Sequence, residues 1–297
     1  MKVIVLGAAA GGGFPQWNAN STSNRQAFAG DPNHPRSTQC SLAVSANGDD
    51  WLVLNASPDL RQQIIATPEL HPREGLRSSP IKSVILTGAD VDALTGLLTM
   101  RERQAFAIWA TSYVHRAIAA NPIFGVLDPT LVRFQTISPA FEPLPGLTCR
   151  AVPAPGKPPL YLEHTQGVGP AEGASIGLRI ADERGKSLVF LPSCAEITPD
   201  MKAFVSNTDA LFFDGTMYTD DEMIRSGEGA KTARRMGHVA MTGDGGAIEG
   251  LRDINAHTRY FIHINNSNPV LNRASPERKA IEREGWRIPE DGMRIEL

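Results

Sequence analysis

Asp90 and Asp92 stand at alternate positions in LTGADVDALTGLL (residues 86–98), where a strand-like apolar run ends and a helix-like one begins. Carboxylates in that rhythm can supply oxygen ligands to a cation, and loops leaving buried strands are where such ligands converge. The loop holds no imidazole, since no histidine lies between His71 and His115. Nitrogen donors must come from elsewhere. His34, His71, His115, His164 and His257 lie in polar loops or in a helical segment and read as surface or packing residues. His238 follows the glycine of RRMGHVAM, and His263 ends the apolar run YFIHINN beside Asn265 and Asn266. Those two are placed to meet a polar cleft. Asp214 in FFDGT ends another apolar run, with Thr216 able to orient it.

Asp90, Asp92, Asp214, His238 and His263 are therefore the candidate metal ligands, and Asp90, Asp92, His238 and His263 the candidate catalytic residues. Two imidazoles with carboxylates suit iron(II), zinc or manganese; two histidines and one carboxylate with open positions suit iron oxygenases. Asp90 has an alternative role as the cap of the following helix. Lys157, Arg101 and Asn265 are candidate substrate contacts; Arg103, Lys231, Arg234 and Arg235 could add positive charge for an acidic ligand. The turn GAAAGGG (7–13) departs from the GxGxxG spacing and reads as a structural turn packed against the site. Cys194 ends a strand-like run, but no motif places a base beside it.

The elements that must position these groups follow from hydrophobic patterning. KVIVLG is a strand; CSLAVSA and WLVLNAS form a hairpin through NGDD. SPDLRQQIIAT (57–67) has helix-start signals, and GLLTMRERQ reads as a further helix. Residues 18–38 form a long polar loop. Four apolar strands, 83–87, 188–192, 210–213 and 259–262, end in polar loops. Hairpins first and then alternating strands and helices predict an α/β, αββα sandwich in one domain over 1–297.

With 297 residues, a net charge of −3 and few cysteines, the chain is an ordinary globular one. The charge argues against nucleic acid as a partner, and no run reaches the length of a membrane span. Cys40, Cys149 and Cys194 are odd in number and unpaired by motif, which predicts a reducing, cytoplasmic setting. A homodimer is a candidate assembly.

LGAAAGGGFPQWN, LVLNASPDLRQQI, VILTGADVDALTGLLTMRE, FDGT with DDEM, KTARRMGH and IHINNSNPVL together resemble the coenzyme PQQ (pyrroloquinoline quinone) synthesis protein B family, from Lys2 nearly to the C-terminus. The resemblance implies a metallo-β-lactamase-like fold. It also implies iron- and dioxygen-dependent hydroxylation of the tyrosine-derived ring of a glutamate–tyrosine intermediate. The alternative it leaves is a metal-poor carrier for PQQ or its precursor, linked to movement toward the periplasm. A zinc hydrolase ranks third, because a two-zinc site needs more imidazoles. The superfamily motif THxHxDH aligns with Thr87–Ala93: Asp92 matches, whereas Gly88, Asp90 and Ala93 stand where histidines would. The family's CxCxxC falls on Ala19, Ser21 and Asn24, which predicts no structural zinc and a loop that is mobile or held by hydrogen bonds.

Overall fold

The computed structural model describes residues 1–167, 169 and 171–297. The first sheet contains β1 (Lys2–Gly7), β2 (Ser41–Ser45), β3 (Trp51–Leu54), β4 (Ile81–Ile85), β5 (Phe106–Ala110) and β6 (Val132–Thr136), side by side in chain order. The second contains β7 (Ala140–Leu144), β8 (Leu147–Pro153), β9 (Ile176–Asp182), β10 (Ser187–Leu191), β11 (Thr208–Asp214), β12 (Ala256–Ile262) and β13 (Trp286–Arg287). A final strand, β14 (Arg294–Glu296), returns to the first sheet and pairs antiparallel with β1. The NGDD hairpin makes β2 and β3 antiparallel, whereas β3 to β6 and β10 to β13 run parallel, several through helical crossovers.

Side-chain alternation explains the stacking. Val3 and Val5 enter a core shared with Leu52 and Leu54 of the first sheet and Ile180, Phe190 and Phe212 of the second. Ile4 and Leu6 point the other way and pack with Leu60, Leu97 and Val114 from helical segments. On β11, Ala210 and Phe212 likewise face the first sheet, while Leu211 and Phe213 face Val205 and Leu251. Strands buried on both faces read as continuous apolar runs, which is why their sequences show little polar alternation. The result is the expected αββα sandwich. Among the described residues, no helix is long and apolar enough to cross a membrane.

Three local expectations change. The helix expected over 57–67 begins only at Leu60 and ends at Ala66. Asp59 gives no side-chain cap, because its Oδ2 accepts from the backbone N (2.9 Å) and Nε2 (3.0 Å) of Gln39. The GLLTMRERQ helix is a one-turn helix, Val91–Leu94, followed by a tight 3-10 segment, Thr95–Arg101. The polar loop 18–38 contains a helix, Thr22–Phe28, capped by Ser21.

At the CxCxxC-aligned positions the contacts are hydrogen bonds. Fully buried Asn24 accepts from Gln16 N (2.9 Å) and donates to Ser21 Oγ (2.8 Å) and Asn266 Oδ1 (3.1 Å). Asn266 in turn donates to Gln16 Oε1 at 2.5 Å, so this loop is tied to the segment that follows His263. Asn24→Ala leaves Gln16 N and Asn266 Oδ1 without these partners and should cost on the order of 2–3 kcal/mol. Urea unfolding checks this: an unchanged midpoint would mean the network contributes nothing.

Candidate metal centre

The loops after β4, β10, β11 and β12 meet at one edge of the sandwich around a single cavity. Its lining includes Asp90, Asp92, Lys157, His238 and His263, with a water-accessible volume of about 130 Å³. Asp214, His238 and His263 each present a donor atom within 4.8 Å of the others. Asp92 joins through His263, with Nε2 and Oδ2 2.8 Å apart, and His238 Nδ1 lies at the same distance from Asp214 Oδ2.

Asp214 ends β11 fully buried. It accepts from Cys194 N (2.9 Å), Thr216 N (3.0 Å), Thr216 Oγ1 (2.7 Å) and His238. Four contacts saturate a carboxylate's acceptor sites, so in this geometry Asp214 orients His238, and ligating a cation directly requires it to release a donor. Glycine is needed between Asp214 and Thr216, because a Cβ on Gly215 would lie 2.7 Å from Phe261 Cβ.

His263 is the more telling residue. It leaves β12 with φ 61°, a left-handed conformation that residues other than glycine adopt uncommonly. Neighbouring strands hold it there: Ile264 N donates to Ala8 O (2.9 Å), and Ala10 N to Ile264 O (2.8 Å). Thus the GAAAGGG turn supports the site, and Gly11 lies against Asp92, whose Oδ2 is 3.6 Å from where a Cβ would be.

The proton count around His263 is short by one. Thr216 gives its only hydroxyl proton to Asp214, so His263 Nδ1, 2.9 Å from Thr216 Oγ1, must donate there. Nε2 then faces the Asp92 carboxylate with no proton of a neutral imidazole left for it. Either a second proton or a cation must fill that contact. Burial alone would lower the His263 pKa, but the hydrogen bond and charge of Asp92 raise it. Burial opposes ionisation of Asp92 too, yet His263 brings its pKa below the usual value. A nitrogen–oxygen separation of 2.8 Å is close to the ~3 Å edge between two ligands each ~2.1 Å from one metal at a right angle. The donor set therefore fits a cation.

Asp90 makes no side-chain cap bond to the helix it precedes. It lines the cavity instead, open to solvent there. Crowding by protein, then the Asp92 charge, push its carboxyl up to about 6. Gly88 cannot simply revert to the motif histidine: it bridges to Ser175, and a Cβ would sit 3.3 Å from Ala174 O. Ala93 lines the cavity and contributes no donor.

Of the candidate substrate contacts, only Lys157 lines the cavity. Arg101 is exposed, its guanidinium turned back to Leu98 O at 2.9 Å by the tight 3-10 segment. Asn265 donates to Ser267 Oγ at 2.6 Å and does not line the cavity.

Two contributors escape sequence reading. Asn55, in a left-handed turn (φ 63°), accepts from Thr87 N at 2.9 Å and fixes the start of the Asp90 loop. Buried Glu222 accepts from Tyr218 N at 2.6 Å and from Ser267 Oγ, linking the chain beyond Asp214 to that beyond His263. Its only sequence signal is an acid in DDEM soon after FDGT. Burial pushes its carboxyl up to about 7. The folded state therefore keeps this proton at pH values where the unfolded chain has lost it, and stability falls as pH rises toward and through 7. Glu222→Gln should gain more stability over the native chain at pH 8 than at pH 5, measured by urea unfolding. An equal effect at both pH values would contradict this.

Residues 50–264 match the family described as Beta-lactamase superfamily domain. The structure of Zn(2+)-bound PqqB from Methylobacterium extorquens superposes with a TM-score of 0.97 at 48% identity, covering 100% of both chains. A diphosphatase of the PhnP family superposes with a TM-score of 0.70 at 19% identity, over 100% of this chain and 97% of its own. At that identity it shares the fold alone. The fold and the site define a protein of the metallo-β-lactamase superfamily.

Full-length relatives narrow the class. Coenzyme PQQ synthesis protein B of Gluconacetobacter diazotrophicus is 50% identical over 308 residues, 99% of both chains. That of Methylorubrum populi is 47% identical over 300 residues, 100% of both chains. The chain belongs to the coenzyme PQQ synthesis protein B family.

Proposed function

We propose that this chain serves PQQ biosynthesis as a non-haem iron hydroxylase acting on the tyrosine-derived ring of a glutamate–tyrosine intermediate. The observation that carries the reading is the His263–Asp92 contact, which needs a second proton or a cation to fill it, set beside a second oriented imidazole in one cavity. Loss of the superfamily histidines at Gly88 and Ala93 argues for one cation and against a two-zinc hydrolytic centre. Iron(II) bound here would supply the redox chemistry that activates dioxygen.

The chain's own residues do the positioning. Asp214 and Thr216 set the His238 ring, and Asp92 with Thr216 sets that of His263. Asp90, facing the same space, is the carboxylate available to a phenolic hydroxyl of the substrate. Asn55 and Thr87 close the floor and hold the Asp90 loop in place.

Anaerobic loading with iron(II), then dioxygen uptake with the glutamate–tyrosine dipeptide and ascorbate as reductant, tests the reading. A product heavier by one oxygen atom is expected. No retained iron and no uptake would sink it. Ala93, which offers no donor where the motif has a histidine, favours the carrier as the second reading. Tight binding of PQQ by metal-free protein would support that one.

A further inference from the structure

The cavity is small for the ligand just proposed. About 130 Å³ falls well below the ~300–1,000 Å³ of pockets that enclose drug-sized molecules. A strap that leaves the second sheet after β8 runs beside it and carries Lys157, which lines the cavity, the short 3-10 turn Leu160–Leu162 and the one-turn helix Glu163–Gln166. Side-chain hydrogen bonds tie the strap to the Asp90 loop and to the helix Ser112–Ala119. Tyr161 Oη donates to Ala89 O at 3.0 Å, and Tyr113 Oη to Gln166 Oε1 at 2.6 Å.

One tie is ionic. Lys157 lies with its stem across Gly237, beside His238; Cγ and Cε would be 3.7 and 3.9 Å from a Cβ there. Its ammonium meets Glu163 Oε1 at 2.5 Å, and both side chains are largely covered. The Lys157 hydrogen bond first, then its charge and those of Lys231 and Arg235, hold the Glu163 carboxyl below the usual glutamate value. One carboxylate thus sits on Lys157 at the rim of a cavity lined by two more acids, Asp90 and Asp92.

We infer that Lys157 anchors a carboxylate-binding subsite at the mouth of the metal cavity, and that Glu163 occupies it until a ligand carboxylate takes its place. The exchange keeps the charge count at the cations unchanged, so the ligand does not have to create a new ion pair from solvent. The subsite rests on the proposed function only for the identity of that ligand; the shared chemistry is a carboxylate flanking an aromatic or aliphatic body.

Calorimetric titration of the purified full chain, kept anaerobic so that nothing turns over, tests this with three probes: the glutamate–tyrosine dipeptide, PQQ and glutarate. Glu163→Gln keeps the shape and removes the internal competitor. Where the Lys157–Glu163 pair is favoured about ten to one over its broken form, removing it tightens binding about tenfold. That gain should vanish in the Glu163→Gln/Lys157→Met double variant, and for the dipeptide with its carboxylates converted to amides. Glu183→Gln, an exposed acid on the turn between β9 and β10, should bind every probe as the native chain does. Equal or weaker binding by Glu163→Gln for all three probes overturns the subsite, as does a gain that survives loss of Lys157 or is matched by Glu183→Gln. Glutarate tightening while the dipeptide and PQQ do not bind would keep the subsite and remove the hydroxylase substrate. Turnover of the dipeptide with no gain in Glu163→Gln would do the reverse.

Discussion

Replacing His263 by asparagine should abolish stoichiometric metal binding while leaving the fold intact. The imidazole is the joint between the two halves of the centre: Nε2 meets Asp92 at 2.8 Å, and Nδ1 meets Thr216, which also touches His238 and Asp214. Asparagine is the informative substitute because it tolerates left-handed backbone, and residue 263 has φ 61°. Alanine would add backbone strain and confuse loss of fold with loss of ligand. Partners that only orient a ligand change metal affinity ~10–100-fold, so loss of the ligand itself should weaken binding by at least ~100-fold. Metal content after loading and desalting, with the thermal midpoint recorded beside it, is the measurement. Native-like metal content in His263→Asn would remove His263 from the ligand set and leave its contact with Asp92 as a proton-bearing ion pair.

Gly96→Ala should be the most damaging small substitution near the site. Gly96 lies in the 3-10 segment just beyond Asp92, and its N donates to Ala56 O at 2.8 Å. A Cβ there would fall 2.2 Å from Ser57 O and 2.8 Å from Ala56 O, both backbone atoms that no rotamer change can move. Either the loop after β3 or the helical turn carrying Asp92 must shift. Overpacking of this kind costs roughly 3 kcal/mol or more, which for a chain of this size lowers the melting midpoint by roughly 5 °C or more. Because Asp92 is one turn away, metal affinity should fall as well. A melting midpoint within 2 °C or so of the native value would show that the two backbones separate easily.

Much of the arrangement was readable before any coordinates, and the reasons differ by residue. Strands such as KVIVLG and ALFFD announce themselves because burial on both faces demands unbroken apolar runs. Asp92, Asp214, His238 and His263 stood out because each follows or interrupts such a run, and strand ends at one edge of a sandwich share one cavity. Arg101 and Asn265 were misplaced for the opposite reason. A side chain's final direction depends on a 3-10 turn in one case and on a bond to the neighbouring Ser267 in the other, and composition encodes neither.

The amino-acid sequence by itself determined the family, the layered architecture and the shortage of imidazoles in the Asp90 loop, because these depend on residue type and order along the chain. Only the tertiary structure decided what the carboxylates do. Asp214 has its acceptor sites filled from β10, β11 and the His238 loop, which makes it an orienting group. Asp90 turns from the helix it could have capped into the cavity. Asp92 reaches across 171 residues to His263. Each outcome depends on how many donors converge on one oxygen, a quantity set by packing between distant segments and absent from any local stretch of the chain.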